Sequence, residues 1–155
     1  MEYLAEKATM PIELIEHMQK HIGDAGSVVS WHADFENTQN KNMALMYPEK
    51  QKFLQGLIDR TMDLEDPFKE GYVDIQFQGS TSIKKVLPAL IPALDYSGMK
   101  VASGTDAMEA WHRLVGLPDG PAKNELKASM LEYCKLDTLA MVRIFNFLEE
   151  LNDRS

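Results

Sequence analysis

The chain has 155 residues, 45% of them hydrophobic, and 24 Asp+Glu against 16 Lys+Arg leave a formal net charge of −8 at pH 7. One soluble domain spanning residues 1–155, with a radius of gyration of roughly 15 Å, is the expectation, and the lone Cys134 excludes a disulfide-stapled secreted scaffold in favour of a reducing, cytoplasmic setting. Short apolar runs broken by proline, and an amino terminus without a basic region leading into an apolar one, predict neither a membrane span nor a secretory leader.

Thr9 can cap a helix from about Met10 to Ile22, with Pro11 in its first turn and Leu14, Ile15, Met18 and Ile22 on one stripe; Gly23 stops it. After Asp24-Ala25-Gly26, the run Ser27 to Trp31 is β-branched and aromatic and reads as a short buried strand. Phe35 to Tyr47 has helical spacing, and Pro48 opens a further helix through Ile58 with Phe53, Leu54, Leu57 and Ile58 inward. A strand at Thr61 to Leu64 follows, then an irregular stretch from Glu65 to Gly79 with a weak strand at Val73 to Phe77. Ser80-Thr81-Ser82 supplies caps for a helix at Ile83 to Leu87, which the prolines at 88 and 92 end. Thr105 to Val115 is helical. Leu136, Ala140, Ile144, Phe147, Leu148 and Leu151 then mark one long amphipathic helix, or two joined near Cys134.

Helix-turn-strand order of this kind belongs to an α/β fold. Within the last helical pattern, Tyr133 and Asp137 stand four residues apart, so a phenol and a carboxylate share one side of the helix beside the apolar stripe. On spacing alone, Asp137 caps the final helix and Tyr133 is a half-buried core aromatic. Trp31-His32-Ala33-Asp34-Phe35-Glu36 lies at the end of a strand and enters a helix, where Asp34 can serve as the cap.

Tyr133-x-x-x-Asp137 resembles the third motif of the DEDD superfamily of 3′-5′ exonucleases in its tyrosine variant. His32-x-x-Phe35-Glu36 resembles the second motif, Asn-x-x-Phe-Asp, with His32 for the Asn and Glu36 for the acid. More narrowly, the chain resembles an uncharacterised domain family of predicted RNase H-like exonucleases often found behind a RecB/Cas4-like nuclease domain. That likeness runs through Ser27-Val28-Val29 and Phe35-Glu36, Asp63-Leu64 and Phe68, Gly79-Ser80-x-Ser82-Ile83-Lys84-Lys85-Val86-Leu87-Pro88-x-Leu90, Tyr96, Gly104, Ala107 and Tyr133-Cys134-x-x-Asp137-Thr138-x-Ala140-Met141.

The resemblance implies an RNase H-like short sheet with flanking helices and a two-metal Mg²⁺ or Mn²⁺ site. Asp137 and Glu36 would be metal ligands and Tyr133 would orient the attacking water. The superfamily's first motif, Asp-x-Glu on the first strand, has no upstream match. Asp34-Phe35-Glu36 and Asp63-Leu64-Glu65 carry its letters but are followed by a helix and by an irregular segment. The chain is therefore read as the carboxyl-terminal part of such a domain with its first strands missing, inactive as given. An enzyme is expected where the upstream motif is present, cleaving DNA or RNA from a 3′ end.

The acidic balance excludes nucleic-acid binding through a broad basic surface and leaves open a site that meets phosphate through metal ions. The rival reading is a noncatalytic, degenerate nuclease-fold domain that docks a protein or holds a nucleic-acid strand; His32, Glu36 and the charge favour it. Lys84 and Lys85, after a Ser/Thr-rich turn at a helix start, are either phosphate-binding or a solvated pair. His17 and His21 are four apart but lack further ligands at zinc spacing, the methionines read as adaptable core filler, and Cys134 as a small buried side chain. A truncated sheet leaves an open edge, which predicts a homo-oligomer.

Overall fold

The computed structural model describes residues 2–153. They form two compact units, one of Met10–Ile83 and the other of the residues before Met10 together with those from Lys84 onward. The class is mixed α/β: helices make up most of the chain and the sheet has two strands.

The Met10–Ile83 unit opens with α1, Ile12–His21. It begins later than its spacing predicts because a residue preceding proline is disfavoured in the α region, which bars Met10; Pro11 becomes the cap and Thr9 makes no capping bond. Strand β1, Val28–Ser30, pairs parallel with β2, Thr61–Asp63, placing Val28 opposite Thr61 and Ser30 opposite Asp63. Parallel strands need a crossover, supplied by α2, Ala33–Met46, a 3₁₀ turn at Pro48–Lys50 and α3, Gln51–Asp59. Ile15, Met43, Leu54 and Leu57 are the buried centre, with Leu14, Met18, Ile22 and Phe53 packed around them as the stripes predict. Arg60 ties the turn before β1, donating to the carbonyls of Ala25 and Gly26 at 2.9 Å and to that of Gly23.

Helix α4, Asp66–Glu70, follows β2. The strand expected at Val73 to Phe77 does not form. Asp74 instead accepts from the Gln76 N–H at 2.8 Å and starts a 3₁₀ turn, Ile75–Phe77, while Val73 and Ile75 lie 84% and 93% exposed. The alternation there had no surface to bury, and the local Asp–backbone bond won. Phe68, Phe77, Tyr72 and Trp31 form an aromatic cluster with Phe68 at its centre.

The second unit contains α5, Ile83–Leu90, from its second residue onward, α6, Gly104–Gly116, and α7, Pro121–Asn152. Helix α5 runs through Pro88 instead of stopping there, because Val86 and Leu87, both fully buried, hold it in place against the loss of one backbone bond. The Ser103 hydroxyl caps α6 by accepting from the Asp106 N–H at 3.0 Å. The carboxyl-terminal pattern is one continuous helix: Ala140 and Ile144 are fully buried and Leu136, Phe147, Leu148 and Leu151 partly so. The amino-terminal segment is fastened to this unit by the Trp111 indole N–H, which donates to the Ala5 carbonyl at 2.8 Å, and by a Lys127–Glu6 ion pair. Among the described residues, no helix is long and apolar enough to cross a membrane.

Candidate functional site

Tyr133 and Asp137 sit in the middle of α7, where the continuous helix removes any capping role for Asp137. Their four-residue spacing puts both on one side of the helix, and the apolar stripe turns that side inward. Tyr133 is buried, Asp137 half-buried, and a third residue joins them: the Tyr96 hydroxyl, itself buried, donates to Asp137 Oδ1 at 2.7 Å. The two tyrosine rings lie 6.1 Å apart, and the Lys84 ammonium stands 6.0 Å from the centre of the Tyr96 ring.

Burial pushes the Tyr96 hydroxyl far above the usual phenol range, helped by its bond to Asp137 and that residue's charge. Burial does the same to Tyr133, again with Asp137 as the next cause. Both phenols therefore stay protonated and able to donate. Cys134 is exposed, because the residue after an inward Tyr133 turns about 100° around the helix; its expected burial is corrected.

Glu36 stands exposed in the first turn of α2, in the Met10–Ile83 unit. The turn into this helix is made by His32 in the left-handed conformation, φ 60°, and it is closed from β2: Asp63 Oδ1 accepts from the His32 N–H at 2.9 Å and Oδ2 from the Ala33 N–H at 3.1 Å. The cap is thus Asp63 and not Asp34. Asp63 Oδ1 also accepts from the Glu65 N–H at 3.0 Å.

Around this cap lies a charged network. Glu65, 6% exposed, accepts from the Thr81 hydroxyl at 2.6 Å and bonds the His32 ring at 3.0 Å. The Lys69 ammonium reaches Glu65 at 3.0 Å, Asp63 at 3.2 Å and Asp66 at 3.3 Å. Burial pushes Glu65 up, but Thr81, His32 and Lys69 outweigh it and hold its carboxyl below the usual range. The bond to Glu65, then its charge, holds His32 above its ordinary value.

Tyr133, Asp137 and Lys84 therefore gather around Tyr96, Lys85 is exposed one residue further along α5, and Glu36 belongs to the other unit. Tyr96 carries no local signal for its bond, because its partner lies 41 residues later, whereas Lys69 does: Glu65 and Asp66 stand four and three residues before it, a spacing that reading the sequence passed over. Among the described residues, no group of three or more His, Cys, Asp or Glu side chains is arranged to hold a metal ion. Asp137 and Glu36 instead offer single carboxylates, a donor type suited to Mg²⁺ or Mn²⁺, which commonly use one or two protein carboxylates and complete their shells with water and phosphate oxygens. A groove of about 420 Å³ beside the tyrosine pair is lined by Asp95 and Ser97, which flank Tyr96, and by Glu132 and Leu136 on α7.

Residues 1–82 match the model of a family described as a domain of unknown function, DUF2779. The match covers more than half of the chain, which belongs to that family. An uncharacterized protein of Mycoplasma genitalium, MG366, is 26% identical in an alignment 138 residues long that covers 81% of this chain and 21% of that protein. The chain spans about a fifth of the length of this curated relative. No solved structure matches it.

Proposed function

We propose that the chain serves metal-dependent 3′-5′ hydrolysis of nucleic-acid phosphodiesters on an RNase H-like scaffold. The observation that carries this reading is the Asp137 carboxylate, held through one oxygen by the buried Tyr96 hydroxyl, with the Tyr133 phenol one helical turn before it. Asp137 and Glu36 are the carboxylates assigned to ligate Mg²⁺ or Mn²⁺, each from its own unit, and the metal would supply the charge that activates water and neutralises the leaving oxygen. Tyr133, kept protonated, orients the water by hydrogen bonding. Lys84 and Lys85 face the scissile strand's phosphates with positive charge in an otherwise acidic protein. The partners so implied are a DNA or RNA 3′ end in the cytoplasm and a RecB/Cas4-like nuclease domain in the same polypeptide or beside it.

Asp137→Ala is the test. Labelled single-stranded DNA and RNA are incubated with Mn²⁺ and a longer polypeptide that carries this chain with its upstream region, in parallel with the variant. The expected outcome is 3′ shortening that the substitution abolishes; equal cleavage by both proteins removes the assignment.

One observation favours a noncatalytic reading, in which the chain holds a protein or a nucleic-acid strand. Asp63-x-Glu65, which has the letters of the superfamily's first acidic motif, is already neutralised by the Lys69 ammonium at the position a cation would take. Binding of labelled strands without cleavage would select this second reading.

A further inference from the structure

We propose that one side of α7 is a docking groove for a basic amphipathic helix of a partner protein. Three depressions of about 470, 410 and 420 Å³ lie along this helix, all within the second unit. They form one channel because neighbours share walls: Lys100, Glu125 and Ser129 belong to the first and second, and Ser97, Met99 and Glu132 to the second and third. From Ala122 to Leu139, at about 1.5 Å per residue, the channel runs about 26 Å, the length of a helix of about 17 residues. Helix α6 walls its first end, and the loop carrying Ser97 to Lys100 walls the rest. Ala110, Ala122, Ala128 and the buried Ser129 are small, which lets a second helix axis come close. Leu117, Leu126, Leu136 and Leu139 stay partly exposed, a surface for the apolar stripe of that helix to cover. Charge then selects the occupant. Five lining acids, Asp95, Asp106, Glu109, Glu125 and Glu132, outnumber three bases, Lys100, Arg113 and Lys135, and Lys100 is already paired with Glu125. Glu109 on α6 and Glu132 on α7 stand exposed at the rim, placed to pair with Lys or Arg flanking the partner's apolar stripe. A phosphate backbone meets the same acids as like charges, and a second copy of this chain brings its own −8, so both are disfavoured in this groove. Neither Tyr133 nor Asp137 lines the channel, so the inference stands apart from the hydrolase reading.

Fluorescence anisotropy at physiological salt tests this with a dye-labelled Leu/Lys model helix of about 17 residues, its Leu/Glu counterpart and labelled oligo(dT). Ala128→Trp fills the channel, and the double variant Glu109→Lys/Glu132→Lys reverses its rim. Glu16→Lys/Glu70→Lys makes the same change in net charge at exposed positions of α1 and α4, in the other unit. All five positions are exposed, and circular dichroism checks that the helices persist. The Leu/Lys helix should bind the unsubstituted chain in preference to the other two probes. Its affinity should fall roughly tenfold in each groove variant and stay within about twofold in Glu16→Lys/Glu70→Lys. Equal losses in the two charge-reversed proteins would mean attraction to net charge alone, and full affinity in Ala128→Trp would put the peptide elsewhere; either result overturns the proposal. So does an absence of Leu/Lys binding, and so does oligo(dT) binding that Ala128→Trp abolishes, which would make the channel a nucleic-acid surface.

Discussion

Lys69 is the residue on which the charged network at the start of α2 turns. It faces three carboxylates within 3.3 Å, and two of them, Asp63 and Glu65, are also engaged by backbone or side-chain donors. Burial raises Asp63, but the N–H groups of Glu65 and Ala33, then Lys69, bring it below its ordinary 3.8; Glu65 falls below 4.5 for similar reasons. A carboxyl held below its unfolded value contributes stability that is present above that value and lost as pH falls through the lowered folded one. His32 works in the opposite sense: its contribution is complete below 6.5 and is lost as pH rises through the raised folded value. Lys69→Met removes the ammonium and lets both carboxyls rise. The variant should be less stable than wild type at neutral pH by about 1 kcal/mol, a figure reduced for the partial exposure of Lys69. The gap should narrow on acidification as the carboxyls of the variant take up protons first, and close as pH falls through the lowered folded values of Asp63 and Glu65 in wild type. Urea unfolding at neutral and acidic pH checks both; a gap that stays constant with pH would mean that Lys69 acts through packing.

Helix α7 shows how one element turns sequence period into both core and site. Ile144 is fully buried while Val142, two residues earlier, is 50% exposed. Ile144→Ala should therefore cost about 3 kcal/mol, a fall in melting temperature of roughly 6–12 °C, and Val142→Ala well under 1 kcal/mol. Circular-dichroism melts of the two variants test the assignment of faces, and equal losses would refute it. This helix was legible because its apolar residues repeat over many turns; the same signal found Tyr133 and Asp137 as neighbours. Shorter elements were read less well where local chemistry competed with spacing, as at Met10-Pro11, Asp74 and Pro88. What could not be read at all was contact between segments distant in sequence. Asp63 caps a helix that starts 30 residues earlier, and Tyr96 reaches an aspartate 41 residues later. Neither pairing leaves a periodic trace, so the acid next to the helix start, Asp34, looked like the cap.

The charge of the entire chain decides whether its open sheet pairs with another copy. In a parallel ladder alternate residues bond to alternate sides, and Val28 and Ser30 face β2, which leaves the N–H and C=O of Val29 on the free edge of β1. Two short strands are marginal as a sheet, and edges of this kind invite a further strand. Exposed methionines near the sheet and elsewhere, Met62 at 42% and Met46 at 54% among them, add apolar surface in place of the core role their composition suggested. Opposing this, each copy carries −8, so two copies repel at long range. Salt shortens that repulsion to about 3 Å at molar concentration while leaving apolar and backbone contacts intact. Association should therefore be weak at low ionic strength and grow as sodium chloride is raised, the reverse of an assembly held by ion pairs. Val29→Lys, which puts a charge at the edge position, should suppress the salt-driven dimer with little effect on helix content. Sedimentation velocity across a salt series measures this directly: a species that stays monomeric at high salt, or a dimer that dissolves as salt is added, would show that the edge is not the contact.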